Sequence, residues 1–219
     1  MSSDFYDIKN AAFFLPNAKE DCIQSIIAST KDYWDMQAHR IIDKYLKENS
    51  VILDIGANIG SHTLYWAIEK KAKKVYSFEP FDKIYEILNT NIKLNYLQDK
   101  VNIFNYGLSD EECNAEIGRF NKHNIGGTDF VKNETGRFKL KTLDSLKIKE
   151  HIDLIKIDVE GAEVEVLKGG IKTIEKNKPI LVIESFNKKQ ELEELIFPLG
   201  YVQVDTIRAN EDYIYACRE

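Results

Sequence analysis

The 219-residue chain is short of several things, and each shortage narrows what it does. No apolar run approaches the roughly 20 residues needed to cross a bilayer. The first residues lack the charged-then-apolar pattern of a signal peptide. Cys22, Cys113 and Cys217 are the only cysteines; they lie far apart without metal-ligand spacing and read as ordinary thiols of a cytoplasmic protein. His39, His62, His123 and His151 show no ligand spacing either. Basic excess is missing too: the net charge is −6, so the electrostatic footprint of a nucleic-acid binder is lacking. Repeats and low-complexity tracts are absent. What remains, 43% hydrophobic and 30% charged, suits one sizeable globular domain.

The stretch Val51-Ile-Leu-Asp-Ile-Gly-Ala-Asn-Ile-Gly60 organises that domain. A short, largely β-branched run reads as a buried parallel strand. Gly56 to Gly60 then break it, and an amphipathic segment with Leu64, Trp66, Ala67 and Ile68 follows. Strand, glycine turn and helix open a nucleotide-binding βα unit. The turn lacks the G-x-G-x-x-G spacing of the dinucleotide fingerprint. Asp54, two residues before the first glycine, would repel a pyrophosphate placed on the helix N-terminus. S-adenosylmethionine (SAM) carries an ammonium and a sulfonium, which a carboxylate favours. The bland alternative is that Asp54 only ties down the turn.

Lys74-Val-Tyr-Ser-Phe-Glu79 reads as the second strand, halted by Pro80. An acid ending that strand can accept hydrogen bonds from both ribose hydroxyls, so Glu79 supports an adenosine ligand without choosing between NAD and SAM; the bland alternative is a strand-end carboxylate in solvent. A third strand spans Val101–Tyr106 and ends at Gly107-Leu-Ser-Asp110, where Ser109 and Asp110 face an adenine or merely make a turn. Residues 111–141 interrupt the alternation; Ala115–Arg119 and Arg137–Lys141 each alternate and predict paired strands around the loop 123–128. Asp153–Glu160 reads as a fourth strand, with Lys156, Asp158 and Glu160 on one side of it by alternation. A single helix with Val164, Leu167, Ile171 and Ile174 inward follows, then strands over 179–184, 201–205 and 213–217. Acids at successive strand ends converge on one crevice. Ahead of all this, residues 1–50 read as a helical cap: a helix with Ile23, Ile26 and Ile27 on one face, then a longer one from Trp34 to Leu46. Tyr33, Trp34 and Asp35 either cover a sheet edge or form a lid over the cleft.

Taken together, Asp54-Ile-Gly-Ala-Asn-Ile-Gly60 with Thr63, Phe78-Glu-Pro80, Leu108-Ser-Asp110, Thr142-Leu-Asp144, Lys156-Ile-Asp-Val-Glu-Gly-Ala-Glu163 and Leu167-Lys-Gly169 resemble the FkbM family of SAM-dependent methyltransferases, in order from about Phe13 to Glu184. The resemblance implies a class I methyltransferase fold: an α/β, Rossmann-like, doubly wound sheet of seven strands with the last antiparallel, here over residues 51–219. It implies a cofactor site of Asp54, Gly56, Ala57, Asn58, Gly60, Thr63, Glu79, Pro80, Ser109, Asp110 and Asp158. It also implies O-methylation of hydroxyls on sugars, polyketides and similar metabolites. One departure is Asp35, where the family pattern has Glu after the aromatic pair.

A hydroxyl is a poor nucleophile, so a positioned base helps its methylation. Asp158 and Glu160 are the candidates, with Lys156 holding their charge or orienting the acceptor. A divalent ion on those two carboxylates, or His62 or His123 as base, are alternatives; the expectation is a metal-free site. Two other functions compete with methyl transfer. One is a non-catalytic SAM-binding interaction module, which has little use for buried charges at 156–163. The other is a nicotinamide-dependent oxidoreductase, disfavoured by Asp54. The expected partner is a small hydroxyl-bearing acceptor, with no nucleic acid and no membrane span.

Overall fold

The computed structural model describes residues 4–207 and 212–218. In chain order it begins with a hairpin of β1 (Phe5–Ile8) and β2 (Ala11–Phe14) and the helices α1 (Cys22–Thr30) and α2 (Met36–Ile42). Then come β3 (Val51–Ile55), α3 (Ser61–Ile68), β4 (Lys74–Phe78), α4 (Asp82–Leu94) and β5 (Val101–Phe104). A group of short strands follows: β6 (Gly107–Leu108), β7 (Cys113–Ile117), β8 (Phe130–Lys132) and β9 (Phe138–Lys141). Alternation resumes with β10 (Leu154–Ile157), α5 (Glu163–Lys168), α6 (Ile171–Asn177), β11 (Ile180–Glu184), α7 (Lys189–Ile196), β12 (Tyr201–Ile207) and β13 (Asp212–Cys217).

Seven strands form the main sheet in the order β12-β13-β11-β10-β3-β4-β5. Its centre is parallel, and β13 runs antiparallel to both β11 and β12. This is the doubly wound α/β sheet with its last strand antiparallel that the sequence predicts. Central strands are apolar on both faces because each face is covered. On one face Ile52 and Leu154 pack with Leu64, Trp66 and Leu88. On the other, Leu53, Ile155 and Ile183 pack with Val164, Leu167 and Leu192. The expected pairing in the insertion is present: β7 and β9 pair antiparallel within a small sheet ordered β6-β9-β7-β8.

Four local expectations change. The first fifty residues carry a hairpin as well as helices, turned at Lys9–Asn10 with Lys9 left-handed. Asn10 is the single turn-favouring residue there, without a glycine or proline beside it. Asn91 of α4 and Asn95 at its C-cap hold the second strand of this hairpin through the Phe14 and Ala12 backbone (2.6 and 2.8 Å). Ile8, Phe13, Leu15 and Ile27 enter the same apolar core as Trp66. The predicted 34–46 helix shortens to Met36–Ile42, opened by Asp35, whose carboxylate accepts from Ala38 N at 3.0 Å. The single helix after Gly161 is two, α5 and α6, divided at Gly169-Gly170. Gly169 has no room for a side chain, since an added Cβ would lie 1.9 Å from the Ser109 carbonyl oxygen. Finally, β10 stops at Ile157, so alternation does not govern Asp158 and Glu160; Glu160 sits on a left-handed turn with φ 52°.

Candidate functional site

A cavity of about 490 Å³ opens at the carboxyl ends of β3, β4 and β10 and is roofed by residues 125–132 of the insertion. Its size falls among the roughly 300–1,000 Å³ typical of small-molecule sites. Of the eleven residues assigned to the cofactor, Gly56, Glu79, Pro80, Ser109 and Asp158 line it. Asp54, Ala57, Asn58, Gly60, Thr63 and Asp110 are not in its wall. Phe81, Leu108 and Leu140 supply apolar surface beside Ser109.

Glu79 follows the last residue of β4, and Pro80 turns the chain away from the sheet. The carboxylate is 8% exposed, not solvated as a bland strand end would be. One oxygen accepts from Asn58 N (3.0 Å) and the other from Phe81 N (2.9 Å), so it clamps the glycine turn to the end of β4. Burial pushes this carboxyl up to about 7, against the two N–H bonds that favour its charge.

Asp54 lies beneath that floor. It is fully buried and takes a 2.6 Å hydrogen bond from the Thr63 hydroxyl, which also contacts Ser77 at 2.8 Å. The register explains the grouping: Asp54 stands opposite Ser77 on β4 and opposite Lys156 on β10, with all three side chains on the α3 face. Lys156 Nζ is 3.8 Å from Asp54 and 2.9 Å from Asp158. Burial alone would lower its pKa, but Asp158, Asp54 and Glu184 outweigh it and hold the ammonium above the usual range. A charge in a central strand thus has the partners that burial demands.

At the third strand end the two polar residues separate. Ser109 is buried and lines the cavity, while exposed Asp110 accepts from the Ser109 hydroxyl (3.0 Å) and Lys132 (2.6 Å). Asp158 and Glu160 both line the cavity. Burial and the nearby Asp158 charge raise the Glu160 carboxyl. Asp158 is also a wall of a narrow slot on its other side, shared with His62, Lys156, Glu184 and Asp212.

His62 reaches that slot but is engaged with His39, Nδ1 to Nε2 at 3.1 Å, and stacks on Trp66. His123 is exposed on the insertion, and its ring faces the Glu20 carbonyl at 3.4 Å. Among the described residues, no group of three or more His, Cys, Asp or Glu side chains is placed to hold a metal ion. Tyr33 and Trp34 are absent from the cavity wall; Tyr33 packs between Phe13 and Tyr65, so this segment covers the sheet instead of forming a lid. Sequence reading missed Asp21, which caps α1 through Gln24 N and binds Ile125 N of the roof at 2.9 Å. The only signal was a lone Asp before a helix.

Comparison with known proteins follows the same line. The family model for the methyltransferase FkbM domain matches residues 54–211. Methyltransferase sdnD of Sordaria araneosa is 29% identical over 160 residues, covering 57% of this chain and 61% of its own length. Hexuronic acid methyltransferase AglP of Haloferax volcanii is 26% identical over 189 residues, covering 82% and 75%. The crystal structure of a methyltransferase FkbM from Methylobacillus flagellatus superposes with a TM-score of 0.55 at 18% identity, over 78% of this chain and 44% of that one, a likeness of fold. This chain therefore spans less than two thirds of the length of sdnD.

Proposed function

Since the chain belongs to the methyltransferase FkbM domain family, we propose that it binds SAM in the 490 Å³ cavity and transfers the methyl group to a hydroxyl of a sugar or similar small metabolite. The observation that carries this reading is Glu79, a buried carboxylate in the cavity wall beside Gly56 and Ser109. A carboxylate there suits two ribose hydroxyls. The apolar flank at Pro80, Phe81 and Leu140 suits an adenine, with Ser109 as its polar neighbour. A dinucleotide fits worse: Glu79 already takes the Asn58 amide of the glycine turn, which a pyrophosphate would need, and adds a repelling charge. Similarity to hexuronic acid methyltransferase AglP supports a sugar acceptor.

Bound SAM would supply an electrophilic methyl carbon: transfer to the acceptor oxygen would break the carbon–sulfur bond, leave its electron pair on sulfur and require the hydroxyl proton to depart. Asp158 takes that proton, with Lys156 fixing one of its oxygens and limiting the charge built up in the buried site. Glu160, on the same cavity wall, orients the acceptor. Gly56 keeps the turn close to Asp158, because an added Cβ would meet the Asp158 carbonyl oxygen at 1.7 Å. Asp54 acts from below, holding Thr63 and Lys156 in register.

Calorimetry with SAM and NAD, followed by mass analysis of acceptors incubated with labelled SAM, tests the reading. Expected are binding of SAM but not NAD and a methyl gain on a hydroxyl compound; tight NAD binding without SAM binding overturns it. Asp158→Asn should lower turnover by about 10²–10⁴-fold while SAM affinity changes little. Activity unchanged by exhaustive EDTA treatment is expected for metal-free chemistry.

A further inference from the structure

A second cavity, of about 380 Å³, takes no part in the methyl-transfer reading. Tyr76 of β4, then Asn102, Phe104 and Tyr106 along and just beyond β5, form one wall, and residues 146–150 form the other. The topology explains why a groove opens here. On this face of the sheet, Val164 and Leu167 of α5 and Leu192 of α7 pack on Leu53 and Ile155 of the central strands. β5 is the edge strand, and the chain after it enters the small sheet instead of a helix. Beside β4 and β5 the face is therefore closed by residues 146–150. Strand alternation sets Tyr76 and Phe78 on that face of β4, and Asn102 and Phe104 on that of β5.

Phe104 runs nearly parallel to Phe78 (ring centroids 5.0 Å apart, 13° between planes) and to Tyr76 (6.4 Å, 4°). These rings turn their faces towards one another and offer the groove their edges. Ring edges are electropositive and attract the electron-rich face of another aromatic ring, which a saccharide lacks. The polar groups of the lining are uncommitted: Asn102, Tyr106, Lys147 and Lys149 make no side-chain hydrogen bond or ion pair with another described residue. Lys147 and Lys149 are exposed at the rim, and Lys141 lies over the Tyr106 ring at 4.6 Å. The one acid in the wall, Glu150, accepts from the Tyr76 hydroxyl at 2.9 Å. Two lysines against one carboxylate leave the wall net positive. We infer that this groove binds a nucleoside phosphate, with the planar base across the Tyr76 and Phe104 ring edges, its polar atoms and ribose paired with Asn102 and Tyr106, and the phosphate at Lys147 and Lys149. The volume falls among those of small-molecule sites. Phe78 joins the two cavities, since it lines the large one and packs on Phe104.

The test is calorimetry of the full chain at low salt with uridine monophosphate, uridine and glucose 1-phosphate. The monophosphate should bind with a dissociation constant below about 1 mM. It should bind at least about tenfold more tightly than uridine or glucose 1-phosphate, because it alone engages the rings and the lysines together. Lys147→Ala combined with Lys149→Ala should weaken it about tenfold, remove most of its salt dependence and leave uridine binding unchanged. Tyr106→Phe should weaken the monophosphate and uridine alike, by about fivefold. Unaltered unfolding midpoints show that the variants are folded. Amide exchange locates the ligand, which should protect residues 102–106 and 146–150. Protection at 79–81 and 125–132 in their place puts it in the large cavity and overturns the inference. So does glucose 1-phosphate binding as tightly as the monophosphate, which marks a mere patch of charge, an affinity unmoved by the lysine pair, or no binding at all. None of these outcomes depends on whether SAM occupies the large cavity.

Discussion

Glu79 carries the most information of any single residue, because on the proposed reading its position ties a proton to the cofactor. Burial raises its carboxyl to about 7, whereas a ribose hydroxyl pair is accepted best by the charged form. At pH 6 about one tenth of the protein then has Glu79 ionised, and at pH 8 about nine tenths. A competent fraction multiplies directly into apparent affinity, so the SAM dissociation constant should rise about tenfold between pH 8 and pH 6. Binding near pH 7 should release about half a proton, visible as a dependence of the calorimetric enthalpy on buffer ionisation heat. Glu79→Gln keeps the shape and cannot titrate. It should bind more weakly and lose the pH dependence over this range; an unchanged profile would mean that another group sets it.

Among the elements, the roof of the cavity depends on a segment far away in the chain. Asp21 accepts from Gln24 N at 3.0 Å, capping α1, and from Ile125 N at 2.9 Å, fixing the 3₁₀ turn Ile125–Gly127. Cys22 N donates to the His123 carbonyl beside it (2.8 Å). Removing the carboxylate loses a helix cap and leaves a roof amide without its acceptor, a cost of about 1–3 kcal/mol. Asp21→Ala should therefore lower the unfolding midpoint and speed amide exchange at residues 123–128. Exchange confined to α1 would show that the roof stands without it. The packing of Gly126 gives the complementary case: an added Cβ would lie 2.1 Å from Nδ2 at the end of the Asn58 side chain. Gly126→Ala makes the Asn58 side chain swing away from the roof and should weaken SAM binding only slightly, with the chain remaining fully folded. No sequence pattern marks either contact, since Asp21 and Ile125 are 104 positions apart and an Asp before a helix looks like an ordinary cap. The central strands, by contrast, were legible because burial on both faces leaves a nearly continuous apolar run, as in Val51–Ile55. The β1–β2 turn was not, for a lone Asn10 without glycine or proline is a weak marker, and the left-handed residue is Lys9. For the site, convergence of Asp54, Glu79, Ser109 and Asp158 at neighbouring strand ends could be read from spacing. That Asp54 faces Thr63 and Lys156 beneath the floor required the register.

At the scale of the whole molecule, two buried groups should shape stability against pH in opposite directions. His39 is fully buried, with its ring centroid 3.7 Å from that of Tyr65; burial, then the Lys156 charge, lowers its pKa from 6.5 to about 3. The unfolded chain takes up this proton below pH 6.5 and the folded chain does not, so the stability from neutral His39 is lost as pH falls from 6.5 towards 3. Glu79 acts the other way. Its folded value near 7 exceeds the ordinary 4.5, so the folded form binds a proton first; its contribution is complete below 4.5 and lost as pH rises through 7. Each slope is about 1.4 kcal/mol per pH unit. Between pH 6.5 and 4.5 the two cancel, and below 4.5 His39 alone pulls stability down. Urea midpoints of single variants separate the two contributions. Relative to the unaltered chain, His39→Gln should gain about 3 kcal/mol of stability on going from pH 6.5 to 4.5, because Glu79 is left unopposed. Glu79→Gln should lose about as much over the same range, as His39 acts alone. The double variant should restore the flat profile. Parallel curves for all four proteins would show that neither group titrates differently in the folded and unfolded chains, and would remove the basis for the pH-dependent cofactor affinity as well.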